Sequence, residues 1–349
     1  MTSPDTPKRA SRKRTIITAI IGIVIMVAVF AFLFPTFGSY QKAFASILAM
    51  PWYWALILAL TGLLNIAVYP LTAMAAIPGL SYRAAFVDRQ AGFLVSNVLP
   101  GGGAVAVGTQ YSILGKYGVP PTKSAAAVSA DAIWTYLMVL GTPAIAVILL
   151  VIEGRSTAGF LTAAIVGAII VIASVVGIWL MLRSIESAEA LGHRLQPVVN
   201  WAYRVIKKQA PDITPTLVNF SAEAGELFKT RFIPLTLTNA AAQVTPFFVL
   251  AAALAALDVF PHPITPIEAF AAFSLALLLT SFPITPGGLG TVDATLVLLL
   301  TGFGISNSTA VAADLIWRLV WFLPQILVGL GAFGLYYFDT RKLRRGPRV

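Results

Sequence analysis

Residues 281–293 read Ser281-Phe282-Pro283-Ile284-Thr285-Pro286-Gly287-Gly288-Leu289-Gly290-Thr291-Val292-Asp293. The stretch interrupts an otherwise apolar segment, Phe270–Phe303, near its middle. The pieces on either side, Ala271–Pro283 and Thr291–Phe303, have 13 residues each. A helix rises about 1.5 Å per residue and the hydrocarbon core of a bilayer is about 30 Å thick, so a crossing needs about 20 apolar residues. Neither piece spans alone. Phe93–Leu114 is built the same way, with Pro100-Gly101-Gly102 at its centre. The spacing predicts two re-entrant helical hairpins, each entering and leaving on one side of a membrane.

The rest of the chain supplies full spans. Of 349 residues, 58% are hydrophobic and 11% charged, against roughly 25% charged in an ordinary soluble domain. Mean hydropathy is +0.85. A soluble globular enzyme, a disordered tail protein and a coiled coil are thereby excluded. The absence of cysteine excludes disulfides, zinc–thiolate sites and a Cys nucleophile. Two histidines, His193 and His262, are too few for a multi-His metal site. Six segments read as spans: Thr15–Phe34, Pro51–Ile77, Ser124–Ile152, Phe160–Leu182, Phe232–Leu257 and Thr309–Phe338. The first is too long for a signal-peptide core, and the cleavage-like Ala43-Phe44-Ala45 lies well beyond it. The expected fold is an all-α polytopic membrane protein with six transmembrane helices and two re-entrant hairpins.

The basic residues orient it. With the N-terminus inside, 21 of the 24 Lys and Arg fall inside, among them Arg83, Arg89, Lys116 and Lys123 around the first hairpin. Only Lys42 and Arg155 fall outside, and Arg318 lies within a span. The positive-inside rule is met with both termini inside, and the net charge of +10 no longer points to nucleic acid. The domains expected are a basic N-terminus (1–14), one membrane domain (15–340, with halves near 51–152 and 232–338) and a basic tail (341–349). The tail, with Arg341-Lys342-Leu343-Arg344-Arg345, suits an anionic inner leaflet. The loop 183–231 joins the halves. Leu191, Leu195, Val198, Ala202 and Val205, then Leu217, Phe220, Ala224 and Leu227 after the Pro211/Pro215 break, recur at helical spacing. Two amphipathic helices follow, either lying on the inner leaflet or capping the bundle.

The two broken stretches repeat each other. Aligning Pro100 with Pro286 also matches Gly101-Gly102 with Gly287-Gly288, Thr109 with Thr295, Leu114 with Leu300 and Gly118 with Gly304. After a three-residue shift, Ala130-Asp131-Ala132-Ile133-Trp134 faces Ala313-Asp314-Leu315-Ile316-Trp317. Shared Gly and Ala mean little in a membrane chain; a shared Asp and Trp mean more. Three spans separate the hairpins, which inverts the second copy. Inverted repeats with broken helices near the midplane are a transporter architecture. Irregular backbone at that depth needs protein or water around it, and broken helix N-termini suit a phosphate or carboxylate.

Residues 281–293, with Gly302, Ala310, Asp314, Arg318, Pro324 and Gly329 after them, resemble the signature of the lysylphosphatidylglycerol synthetase transmembrane family. Asn97-Val98-Leu99-Pro100-Gly101-Gly102 resembles its first-half motif. This is the flippase-type membrane domain of multiple-peptide-resistance proteins. The resemblance covers roughly 15–340. It implies a lipid flippase or lipid-linked glycan role, with anionic or aminoacylated phospholipids and polyprenyl-phosphate carriers as cargo classes. Two departures stand out: Asp293 where the family usually has Glu, and Gly103-Ala104-Val105-Ala106 where a basic and an acidic residue often follow the first motif. No aminoacyl-transferase domain is present in these residues, so lipid aminoacylation is not carried over.

Ionisable groups inside a membrane are costly and usually functional. Four are expected here: Asp131, Asp293, Asp314 and Arg318. Asp314 and Arg318, spaced i,i+4, share a helix face and could pair. Either the pair holds its helix in place, or Arg318 takes a lipid phosphate through its planar fork and Asp314 holds or releases it. Asp131 and Asp314, as repeat mates, either fix their hairpins by accepting N–H groups or join proton coupling. Asp293 suits a helix start through the dipole. Asn97 and Gln243, with Gln110 and Asn239 behind them, are weaker cavity candidates, and Trp52, Trp54, Tyr336 and Tyr337 read as interface anchors. Pro100, Gly101, Gly102, Pro286, Gly287, Gly288 and Gly290 form the breaks. No cofactor, metal or enzymatic activity is expected. The partners expected are phospholipid or polyprenyl-phosphate lipid, and a glycosyltransferase or lipid-modifying enzyme if the protein only assists one. The expected location is the plasma membrane of a bacterium.

Overall fold

The computed structural model describes residues 40–99, 102–154, 184–205, 209–281 and 285–344, with 173, 176, 177 and 180 as isolated positions. The expected spans Thr15–Phe34 and Phe160–Leu182, and the break residues Pro100 and Gly101, lie outside them apart from those isolated positions. The described residues are helical and contain no strand. Four helical stretches are long and apolar enough to cross a membrane: Trp52–Ala76, Pro121–Ile152, Leu227–Ala256 and Asn307–Asp339. They coincide with four of the six expected spans.

In chain order the helices are α1 (Tyr40–Leu48), α2 (Trp52–Val68), α3 (Leu71–Ala76), α4 (Tyr82–Val98), α5 (Gly102–Lys116) and α6 (Pro121–Ile152). Then come α7 (Ile185–Val205), α8 (Thr214–Ala256), α9 (Pro266–Leu278), α10 (Thr291–Gly302), α11 (Asn307–Trp317) and α12 (Leu323–Arg344). A π-helical turn, Arg318–Phe322, joins α11 to α12 without breaking the span.

α4 and α5 form the first hairpin. Ser81 caps α4, its Oγ accepting from Ala84 N at 3.3 Å, so the helix begins 11 residues before the expected Phe93. α4 then crosses its partner closely: a Cβ on Gly92 would lie 3.2 Å from Gln110, and one on Gly102 only 2.3 Å from the Val95 carbonyl. The hairpin base is tied to the end of α12, where Asp339 accepts from Arg83 (3.0 and 2.7 Å) and from the Tyr117 hydroxyl (2.7 Å).

α9 and α10 form the second hairpin. Thr265 and Glu268 make a reciprocal cap at the start of α9, with backbone–side-chain bonds of 3.2 and 2.9 Å. The 13 and 12 residues of these helices fall short of a crossing. Their base packs at the C-terminal end of α6, where Ile267, Phe270, Ala271 and Phe303 meet Ala146 and Leu150. The first hairpin's base adjoins the N-terminal end of α6. The two bases therefore lie at opposite ends of the bundle, and the tips face one another.

α8 corrects the expected pair of separate amphipathic helices. The second of them is continuous with the following span, so that one helix runs 43 residues through Pro215, Pro234 and Pro246. Proline at 246 leaves the Ala242 carbonyl without its helical donor, and the Thr245 hydroxyl supplies one at 3.3 Å. α7 is the first amphipathic helix as expected. Its Ala188 and Leu191 pack on Leu217 and Phe228 of α8, while Leu195, Val198 and Trp201 stay exposed. On α2, exposed Leu56, Leu60, Leu63 and Leu64 make an apolar face suited to lipid. Trp52 is exposed at its start and Tyr337 near the end of α12, as interface anchors would be.

Small residues allow close crossings, as is usual between membrane helices. A Cβ on Gly329 of α12 would lie 2.7 Å from both the Gln90 carbonyl and the Leu94 Cβ on α4. Gly329→Val should force these helices apart and lower stability in detergent by about 1–3 kcal/mol, the cost of overpacking. Thermal unfolding followed by circular dichroism measures it, with Gly331→Val, where a Cβ meets nothing within 4 Å, as the neutral comparison.

Candidate functional site

The site begins with the second break. Gly287, Gly288 and Gly290 have φ of 62°, 66° and 85°, a left-handed conformation that side-chain-bearing residues rarely adopt. The turn leaves backbone groups without helical partners. Asp293, the third residue of α10, reaches back to accept from Gly290 N at 2.6 Å. Its other oxygen accepts from Arg318 Nε at 2.5 Å. The rest of that guanidinium faces the Gly287 and Gly288 carbonyls, at 3.3 and 3.5 Å. Arg318 is 1% exposed and lies against the rings of Trp317, Phe322 and Trp321, at 5.0, 5.2 and 5.9 Å from their centroids.

This corrects the expected Asp314–Arg318 pair. Arg318 forms its ion pair with Asp293 on the hairpin. The reason lies in acceptor geometry. The planar guanidinium meets a carboxylate and two orphan carbonyls at once, whereas Asp314 would offer it a single carboxyl. Asp314 is also 1% exposed, and its Oδ1 has no hydrogen-bond partner.

The first hairpin carries a matching tie that the sequence reading missed. Arg89, expected on the inner surface, is instead 7% exposed within α4 and hydrogen-bonds Asp131 of α6 through Nη1. Its guanidinium sits 4.3 Å from the Tyr69 ring centroid. Asp131 thus holds its hairpin through an arginine side chain and not through hairpin N–H groups. Asp88, 1% exposed beside Arg89, accepts from Gln110 Nε2 at 3.3 Å. The usable signal was Gly79 and Ser81, which mark a helix start and place residues 88 and 89 two turns inside it.

Both halves therefore tie a hairpin helix to the span after it with one buried Arg–Asp pair. The polarity is exchanged: Arg on the hairpin in the first half, Arg on the span in the second. The two tryptophans aligned in the sequence are alike in burial, at 1% for Trp134 and 0% for Trp317. Both donate to α8, to the Thr236 hydroxyl at 2.9 Å and the Pro246 carbonyl at 3.0 Å.

The tips meet. A Cβ on Gly287 would lie 3.4 Å from the Asn97 carbonyl and 2.6 Å from Phe322 Cζ. Leu289 of the second tip packs with Phe93, Leu94 and Val98 of the first. Asn97 itself donates to the Phe93 carbonyl at 2.9 Å. Below the tips, Asn65 of α2 donates to Thr245 of α8 at 2.7 Å and accepts from Gln325 of α12. Asn239 bonds along α8 to the Leu235 carbonyl at 3.0 Å, and Gln243 is half-buried on the same helix and belongs to neither ion pair. Outside the pairs, an open groove of about 410 Å³ runs between α5 and α12, lined by Val105, Gly108, Thr109, Ser112, Phe333 and Tyr336.

Removing one partner of a buried ion pair leaves a charge with no counterion. Arg318→Ala should therefore cost about 3–5 kcal/mol of stability. The double variant Arg318→Met with Asp293→Leu should recover much of that loss, because the stranded carboxylate is gone too. Chemical unfolding in detergent, run as a double-mutant cycle, measures both.

A search of the curated proteins returned no match. A family model does match: the lysylphosphatidylglycerol synthase TM region, over residues 19–329. The matched region contains both hairpins, both ion pairs and the tip contact just described. It takes in most of the chain, and so this multi-pass membrane protein belongs to the lysylphosphatidylglycerol synthase TM region family.

Proposed function

We propose that this protein moves a phospholipid or a polyprenyl-phosphate-linked lipid between the leaflets of a bacterial plasma membrane, with no covalent chemistry of its own. One observation carries the reading: two helical hairpins too short to cross a membrane meet tip to tip inside a bundle of longer helices. Broken backbone at that depth is tolerated where it is packed in protein or lines a path for polar groups. On this reading the hairpins are re-entrant, the halves form an inverted repeat with both termini inside, and the headgroup passes near the tips while acyl chains stay in lipid. The groove between α5 and α12, with Thr109 and Ser112 on an otherwise apolar wall, offers an entrance of suitable size.

Arg318 enters this reading as the holder of the break. Its N–H groups face Asp293 and two carbonyls, so a lipid phosphate reaches it only by displacing Asp293. A second reading is a non-transporting partner of a glycosyltransferase or lipid-modifying enzyme. The exposed Leu195, Val198 and Trp201 strip on α7 favours it, since that strip suits a protein as well as the anionic inner leaflet.

The inverted topology has a direct test, made simple by the absence of native cysteine. Lys116→Cys at the first hairpin's base should react with a membrane-impermeant maleimide from the inner side only. Asn307→Cys, next to the second hairpin's base, should react from the outer side only. Labelling of both from one side removes the inverted repeat.

Transport is tested with purified protein in vesicles carrying headgroup-labelled phospholipids. Wild type should speed exchange between leaflets. Gly287→Ala, which pushes a methyl group against Phe322 in a left-handed turn, should slow it by about tenfold, equivalent to a barrier higher by about 1.4 kcal/mol. Vesicles in which wild type exchanges no lipid of any headgroup class would leave the partner reading in its place.

A further inference from the structure

Around each ion pair, two buried carboxyl groups lie with one guanidinium; Glu268, also 1% exposed, is set apart as the cap of α9. The first half has Asp88 and Asp131 with Arg89, at 1%, 7% and 7% exposure; the second has Asp293 and Asp314 with Arg318, at 1% each. With every group ionised, each of these clusters would hold one uncompensated negative charge away from water. A buried carboxylate without a counterion takes up a proton.

The hydrogen bonds show where. In the first half, Asp88 Oδ1, Asp131 Oδ1 and Arg89 Nε have no hydrogen-bond partner. All three residues, with Gln110, line one cavity of about 10 Å³, room for a single water molecule. With a proton on Asp88 Oδ1, that hydroxyl and Arg89 Nε would both donate to one water, which would donate in turn to Asp131 Oδ1. The remaining wall is aliphatic, from α3, α5 and α6. Among the groups facing this region from neighbouring elements, Tyr69 lies over Arg89, and Arg231 of α8 donates to the Ala75 carbonyl on α3 at 3.0 Å.

In the second half, both oxygens of Asp293 are taken, by Arg318 and by Gly290 N. Asp314 stands one helical turn before Arg318, 1% exposed, and its Oδ1 has no hydrogen-bond partner. Arg318 is already held by Asp293, so Asp314 has no cation of its own and takes up the proton. The elements packed around this pair bring no further charge close by: α8 is uncharged from 232 to 256, and Glu268, the one acid of α9, caps that helix at the hairpin's base.

We infer that each half of this protein holds a proton-binding site: Asp88, across a small enclosed cavity from Asp131, in the first half, and Asp314, beside the Asp293–Arg318 pair, in the second. The sites stand whether or not lipid moves. Their ligand is a proton, and each site sits beside the ion pair that ties a hairpin to its span.

Infrared spectroscopy of the purified full chain in an ester-free detergent at neutral pH tests this. Wild type should show two protonated-carboxyl bands that shift on exchange into heavy water. Asp88→Asn should remove one and Asp314→Asn the other, with helical content unchanged, because a carboxamide takes the place of a neutral acid. A folded wild type with no such band overturns the inference, as do bands that persist in both variants. A first-half band that sodium chloride abolishes at constant pH would assign that cavity to sodium instead. None of these outcomes depends on lipid exchange, so proton binding and transport succeed or fail separately.

Discussion

A backbone carbonyl buried without a helical partner has no water to turn to, and the architecture around the second break answers that constraint. Arg318 meets two such carbonyls and Asp293 together, and Asp293 in turn meets the N–H of Gly290. One guanidinium thus allows a chain to stop being a helix halfway into the bundle. The aromatic shell of Trp317, Trp321 and Phe322 keeps it dry, which strengthens every contact inside. Without that tie the hairpin tip would carry unsatisfied polar groups against apolar neighbours.

The first half solves the same mechanical problem with exchanged signs. Its arginine sits on the hairpin and its aspartate on the span, and the guanidinium again rests on an aromatic ring. The polarity of a buried pair does not matter to its holding power, so the two ties can differ in which partner carries the positive charge. That freedom explains why Thr135 stands at the repeat position of Arg318 without loss of the tie. What both halves keep is a second, unpaired carboxyl, Asp88 and Asp314. Packing alone gives no reason for either.

Much of the fold was legible because span length and Pro-Gly breaks act locally. Four spans and both hairpins follow from counting apolar residues, and the repeated Asp-Ala/Leu-Ile-Trp segments do mark equivalent buried positions. The partners of the charges were less legible. Asp314 and Arg318 are neighbours on a helix, yet Arg318 pairs across 25 residues with Asp293, because the break's carbonyls draw the guanidinium there. Arg89 looked like a surface charge because α4 was started too late, and its partner lies 42 residues away. The continuity of α8 from Leu227 into the span was hidden because Pro234, next to the expected start at Phe232, reads as the first turn of a new helix.

α8 has one further consequence. At about 1.5 Å per residue its 43 residues measure about 65 Å, roughly twice the thickness of a hydrocarbon core. Its N-terminal part carries α7 and, at Phe228, touches Trp134 as well, while Trp317 donates to the Pro246 carbonyl further along. Pro234 and Pro246 are the places where such a rod bends most easily. A load applied to the α7 platform, by a docked protein or by a change in surface lipid, is thereby delivered at Phe228 against Trp134 and along the rod as a tilt against Trp317, whose partner Pro246 lies 18 residues, or about 27 Å, beyond Phe228. The helix works as a crank, and its two prolines set where it gives.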